Sequence, residues 1–196
     1  ISAKAVAANK TYAKKKESDK IISEEWSQEA IVQRTKDERS IKGSKKEEAV
    51  LYDSSGAKVF RKTGEDHLVS FTQEEIRMMR GGVLTHNHPG GASFSVADIN
   101  MLRQSGLKEI RAVGRDGVYS MKPPKVWDKR ILSLAEIRNQ YNSIVEEYEK
   151  EMEQWALTNL ANISVTDYQI RYQNKVVEEF SKRFGLEYQM EVLKDE

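Results

Sequence analysis

The sequence predicts an α/β fold of the α+β kind, a small mixed sheet flanked by helices at both ends of the chain. Three observations predict it. Short runs rich in Val, Ile, Tyr and Phe recur through the middle at strand length, bounded by Gly, Ser and Asp. Helix-spaced apolar residues among Ala, Lys and Glu fill both ends. Charged residues make up 32% of the 196 and hydrophobic ones only 38%, which puts part of the length into solvated helix rather than core.

Taken in order, residues 2–39 form a first helix with Ile21, Ile22, Trp26, Ala30 and Ile31 as its apolar stripe. Lys14-Lys15-Lys16 is a solvated face, and Gly43-Ser44 marks a linker over 40–46. Residues 49–53 and 58–62 pair as a hairpin around Ser54-Ser55-Gly56, and 68–71 read as another short strand. Thr72 caps a helix over 73–80, with Glu75 in the capping-box position and Gly81-Gly82 as its end. Val83-Leu84-Thr85 is a strand. Ser95 caps a helix to about Ser105, stopped by Gly106. Residues 109–113 and 118–121 are strands around an Arg115-Asp116-Gly117 turn, and Pro123-Pro124 closes the central segment. Helices over 134–160 and 167–184 and a short strand over 186–192 complete the chain, with no internal repeat. The division is a charged helical lead-in and linker over 1–46, a central domain over 47–122 and a helical extension over 123–196.

Net charge is +1, so no global field points to nucleic acid or membrane. The charge is uneven. Residues 1–46 hold 12 Lys/Arg against 7 Asp/Glu, and residues 127–196 hold 9 against 14. These are either two solvated arms or arms that meet each other or a partner by charge. Trp26, Trp127 and Trp155 pack on the central domain or on another chain. Without cysteine there are no disulfides and no thiolate zinc ligands. No apolar run approaches the roughly 20 residues of a membrane span, and no signal peptide is visible. The helix-like opening at Ile1 reads as that of a fragment of a longer polypeptide.

Chemistry concentrates in Thr85-His86-Asn87-His88-Pro89-Gly90-Gly91 and Ser95-Val96-Ala97-Asp98. Residues two apart on a strand share a face, so His86 and His88 present two imidazoles to one point. Asp98 adds a carboxylate from the first turn of the next helix. Two imidazoles and a carboxylate suit a catalytic zinc with an open position. Such a zinc lowers the pKa of its water toward about 7. Peptide hydrolysis also needs a general base and an oxyanion donor. Ser95, one turn before Asp98, can donate, and it can equally form a capping box with it. Glu47 and Glu48, at the head of the first strand, both stand as candidate bases. His67 has no motif around it and reads as a surface or strand residue. Gly90-Gly91 is too short to cradle a phosphate, and no Walker-type pattern exists.

On these residues, 47–122 resembles the JAB/MPN (JAMM) metalloprotease fold, in which a Glu on an early strand precedes His-x-His-Pro and Ser-x-x-Asp. It is especially similar to the RadC-like branch, whose motif also reads His-Asn-His-Pro. The resemblance implies His86, His88 and Asp98 as zinc ligands, Ser95 as oxyanion support and Glu47 as base. The six residues from Pro89 to Phe94 are one fewer than that family's spacing. Together with Glu-Ile-Arg-Ala-Val and the late Phe-Gly-Leu-Glu-Tyr, the same strings resemble C-terminal domains of phage MuF-type head-morphogenesis proteins and of polymorphic toxins. The expected function is a zinc-dependent hydrolase acting on a peptide or isopeptide bond of a protein or peptide substrate. In a phage or bacterial-conflict setting, the implied partners are phage capsid proteins or an immunity protein. The rivals are a metal-dependent nuclease toxin, which keeps nucleic acid open as a partner, and a non-catalytic head-assembly module. A membrane partner is not expected.

Overall fold

The computed structural model describes residues 26–66, 68–159 and 163–193. Most of the first helix (with Lys14 to Lys16, Ile21 and Ile22), His67 and Leu160 lie outside the described residues. In order come α1 (Gln28–Ile41), β1 (Glu48–Tyr52), β2 (Lys58–Thr63), α2 (Gln73–Met78), β3 (Val83–Asn87), α3 (Val96–Ser105), β4 (Glu109–Val113), β5 (Val118–Lys122), a 3-10 turn (Lys129–Ile131), α4 (Leu134–Asn159), α5 (Val165–Phe184) and β6 (Glu187–Glu191). The fold is mixed α+β, as expected. Among the described residues no helix is long and apolar enough to cross a membrane.

The six strands make one sheet in the order β2-β1-β3-β4-β5-β6. β3 and β4 run parallel, joined over the sheet by α3, and the other neighbours are antiparallel. Alternation sorts side chains onto two faces. Ala49, Leu51, Leu84, Ile110, Ala112, Tyr119 and Met121 enter one core with Ile99 and Leu102 of α3, Ile137 and Ile144 of α4, and Val176, Val177, Phe180 and Phe184 of α5. Each fully buried side chain of that size contributes roughly 1.5–3 kcal/mol of transfer free energy. That core crosses the 122/123 division read from the sequence, and β6 extends the sheet along β5.

The other face carries α1. The described part of the lead-in is not a solvated arm, because Asp37 and Glu38 are buried against cations of the sheet. Asp37 takes Lys58 Nζ at 2.8 Å and the Tyr52 hydroxyl. Glu38 takes Arg111 Nε at 2.6 Å and the Thr85 hydroxyl at 3.2 Å. Arg111, 2% exposed, also donates to Glu109 and to Glu191 of β6. Burial opposes its charge, but Glu191, Glu38 and Glu109 outweigh that and raise its pKa above the ordinary value. Glu38 from the lead-in and Glu191 from the C-terminal segment, both carboxylates, thus meet at one buried guanidinium of the central sheet. Trp26 stacks obliquely on Tyr52. A Cβ on Gly56 would lie 2.8 Å from Trp26 and from Ala30, so the hairpin turn needs glycine for this packing.

Residues 68–71 do not form a strand. Only an isolated bridge joins Leu68 to Glu65. Val69 is buried in the core and Phe71 packs on Phe60, so this run serves as a wall instead of a ladder. The helix after it ends at Met78, and α1 runs on to the buried Ile41, two residues beyond the expected end.

Candidate metal centre

β3 delivers the first histidine. In its register Ala49 of β1 stands opposite His86, which places the imidazole on the core face beneath α3. His88 follows the strand end, its N–H bonded to Val113 O at 3.0 Å. The chain then turns back as Gly91 N–H donates to His88 O at 2.8 Å. Gly91 has φ +81° and stands against Arg115 and Ile170, so no other residue fits there without strain.

The turn leads to the N-terminus of α3, where Ser95 and Asp98 form a reciprocal capping box. Ser95 N and Oγ both donate to Asp98 Oδ2 at 2.7 Å. The carboxylate so held lies against both imidazoles, with His86 Nε2 to Oδ1 at 3.2 Å and His88 Nε2 to Oδ2 at 3.4 Å. The two Nε2 atoms are 2.9 Å apart. Tetrahedral metal bonds of about 2.0–2.1 Å give a ligand–ligand edge of about 3.4 Å, so these spacings suit one small cation. His88 Nδ1 lies 3.2 Å from Ala92 O, which orients the ring with Nε2 toward the cluster. His86 Nδ1 is buried with no hydrogen-bond partner, so the polar contacts of that ring run through Nε2.

Glu47 completes the group. A carboxylate oxygen of Glu47 and ring nitrogens of His86 and His88 lie within 4.8 Å of one another, an arrangement that could hold a metal ion. Its backbone is fixed to the segment after β2, through Glu47 N to Glu65 O and Gly64 N to Glu47 O. The neighbouring Glu48 is engaged elsewhere, by Arg61 Nε at 3.0 Å and Nη2 at 2.7 Å. Of the two candidate bases, the structure brings only Glu47 to the histidines.

The two carboxylates shape the electrostatics of the cluster. Burial pulls the His88 pKa down, but Asp98 and then Glu47 outweigh it and raise it to about 9. Burial likewise opposes the charge on Asp98, yet His86 and His88 hold it well below the usual carboxylate range. The carboxylates recruit positive charge to this point. The cluster opens into a pocket of about 300 Å³ with an apolar wall from Val69, Phe71, Leu84 and Met101.

Two supports escaped the sequence. Asn87, between the histidines, faces away from the cluster. Its Oδ1 accepts from Glu48 N at 2.7 Å, and its Nδ2 donates to Ser44 O at 3.3 Å and Lys46 O at 3.2 Å. It ties the segment carrying Glu47 to the strand carrying His86. From α5, Asn174 Oδ1 accepts from Ser93 N at 2.9 Å, and Gln173 Nε2 donates to Phe94 O at 3.1 Å. These bonds hold the loop whose Ala92 carbonyl orients His88. The shorter loop is thus built into the fold by the C-terminal helix. Asn87 was visible as a letter inside the motif, whereas nothing local in 165–184 marks Gln173 and Asn174.

Asn87→Ala leaves three partly exposed backbone groups, Glu48 N–H and the Ser44 and Lys46 carbonyls, without their partner and is expected to cost about 1–2 kcal/mol. Urea denaturation checks this, and a cost below about 0.5 kcal/mol, the usual size for an uninvolved surface position, contradicts the clamp.

Compared with family models, with curated proteins and with solved structures, the chain matches none.

Proposed function

We propose that the chain is a zinc-dependent hydrolase acting on a peptide or isopeptide bond. The observation that carries this reading is the Asp98 carboxylate set against His86 and His88, with Glu47 near the same two histidines and all four lining one pocket. The resemblance of 47–122 to JAB/MPN proteases, RadC-like ones above all, assigns the same four residues.

His86, His88 and Asp98 would hold the ion, which supplies Lewis acidity toward a water and the scissile carbonyl. A donor set of imidazole nitrogens and one carboxylate, with no thiolate, suits catalytic zinc. Glu47 lies near enough to take the proton of the attacking water and to return it to the leaving amine. Ser95 lines the same pocket, and its hydroxyl is given to Asp98. Because Ser95 N–H holds Asp98 as well, the hydroxyl is able to turn to the developing oxyanion without freeing the carboxylate.

The test is cleavage of a peptide library and of a lysine-linked isopeptide by zinc-loaded protein, read by mass spectrometry. The expected result is cleavage that stops on chelation and returns with added zinc. Cleavage that survives complete chelation, or cleavage of no peptide or isopeptide by zinc-loaded protein, contradicts the proposal.

A further inference from the structure

Resting on the hydrolase reading, we propose a substrate class for the site: a polypeptide with an apolar side chain on one side of the cleaved bond and acidic residues on the other. The cluster lies where two depressions meet. The 300 Å³ pocket that contains it has the apolar wall described above. A second groove, of about 500 Å³, shares His88, Pro89 and Gly90 with it and runs the other way, past Lys42, Lys45 and Arg115. Among the described residues no Asp or Glu lines this groove, whereas Glu47 and Asp98 line the pocket.

The positive charge of the groove is placed by the fold. Ser44 lies between the two lysines, and its carbonyl is held by Asn87 at the end of β3. Ser44 N–H closes the turn onto Ile41 O at 3.1 Å. Arg115 is already paired with Asp116 and Asp167, so among the described residues the charge of this groove open to a ligand is that of Lys42 and Lys45. His88, Pro89 and Gly90 form the saddle between the depressions. A Cβ on Gly90 would meet nothing within 4 Å, which leaves room for a backbone to cross. A chain lying over the saddle passes the cluster with one end against apolar wall and the other against two ammonium groups. A nucleic-acid strand fits worse, because its phosphates would run from the lysines into the carboxylates of Glu47 and Asp98.

The experiment measures binding apart from cleavage. Fluorescent peptides with a Phe followed by two Asp, by two Lys, or with the Phe replaced by Asn are titrated by anisotropy at low salt. The protein is the full chain carrying Glu47→Gln, in zinc-loaded and in chelated form, alone or with Lys42→Glu/Lys45→Glu. Both lysines are exposed, so their replacement leaves the fold intact. The Phe-Asp-Asp peptide is expected to bind on the order of tenfold tighter than either variant peptide, and the charge reversal is expected to invert the Asp-over-Lys preference. Equal binding of the acidic and basic peptides, an unchanged preference after charge reversal, no binding of any peptide, or displacement by an oligonucleotide at equal charge each overturns the proposal. Failure of the hydrolase reading is separable. A charge preference that persists in both forms, with no cleavage by wild type, sinks hydrolysis alone. Zinc-dependent cleavage without charge preference sinks the substrate class alone.

Discussion

Glu47→Gln is expected to lower turnover of a cleaved peptide by about 10²–10⁴-fold, the usual contribution of a general base, with zinc content unchanged. The amide keeps the shape of the side chain and removes its basicity. With Glu47 as base and His86, His88 and Asp98 as the proposed ligands, the ion keeps its ligands in this variant. Glu48→Gln is the control. Glu48 is held by Arg61 away from the cluster, and its variant is expected to turn over much as wild type does. Steady-state kinetics beside metal analysis checks both. Full activity in Glu47→Gln removes the base assignment, and loss of zinc in it makes Glu47 a ligand instead.

Arg111→Ala is expected to have the largest effect on stability. It leaves Glu38 buried at 1% exposure without its main cation, and breaking one side of such a pair costs about 3–5 kcal/mol. It also releases Glu191 of β6 and the Arg111 bond to Glu109, so three segments of the chain lose their common anchor. The double variant Glu38→Gln/Arg111→Met is expected to recover part of the loss, because it removes the stranded charge as well. Urea denaturation of the three proteins checks this. A cost below about 1 kcal/mol for Arg111→Ala, the range of an exposed pair, contradicts the account. The position bears on function because β4, which carries Arg111, lies beside β3 and accepts His88 N–H at Val113.

Much of the site was legible in the sequence because its chemistry is local. His86 and His88 come from one strand end, and Ser95 and Asp98 from one helical turn, so spacing alone places them. The residues alone left Glu47 and Glu48 open and only the resemblance favoured Glu47, since adjacent residues on a strand face opposite ways and the register decides. Here Ala49 stands opposite His86, which puts Glu47, two residues before Ala49, on the histidine face. How the lead-in packs was hidden for a similar reason. Asp37 and Glu38 look solvated in sequence, and they are buried because Lys58 and Arg111 meet them from the sheet. The apolar run 68–71 has strand composition but lines a pocket, since no neighbouring strand takes its hydrogen bonds beyond one bridge. Asn87 makes the segment spell His-Asn-His like a nuclease motif, yet its amide is spent on Ser44, Lys46 and Glu48 backbone. That use gives the nuclease rival no support at this residue.

A catalytic zinc held by His86, His88 and Asp98, as proposed, makes bound metal depend on the two histidines. The most direct measurement is the metal content of purified wild type beside His86→Ala/His88→Ala, by plasma mass spectrometry after zinc loading and desalting. The account predicts about one zinc per chain in wild type and none in the double variant, which keeps only the carboxylates. No zinc in wild type after loading, or equal zinc in a folded double variant, would contradict it.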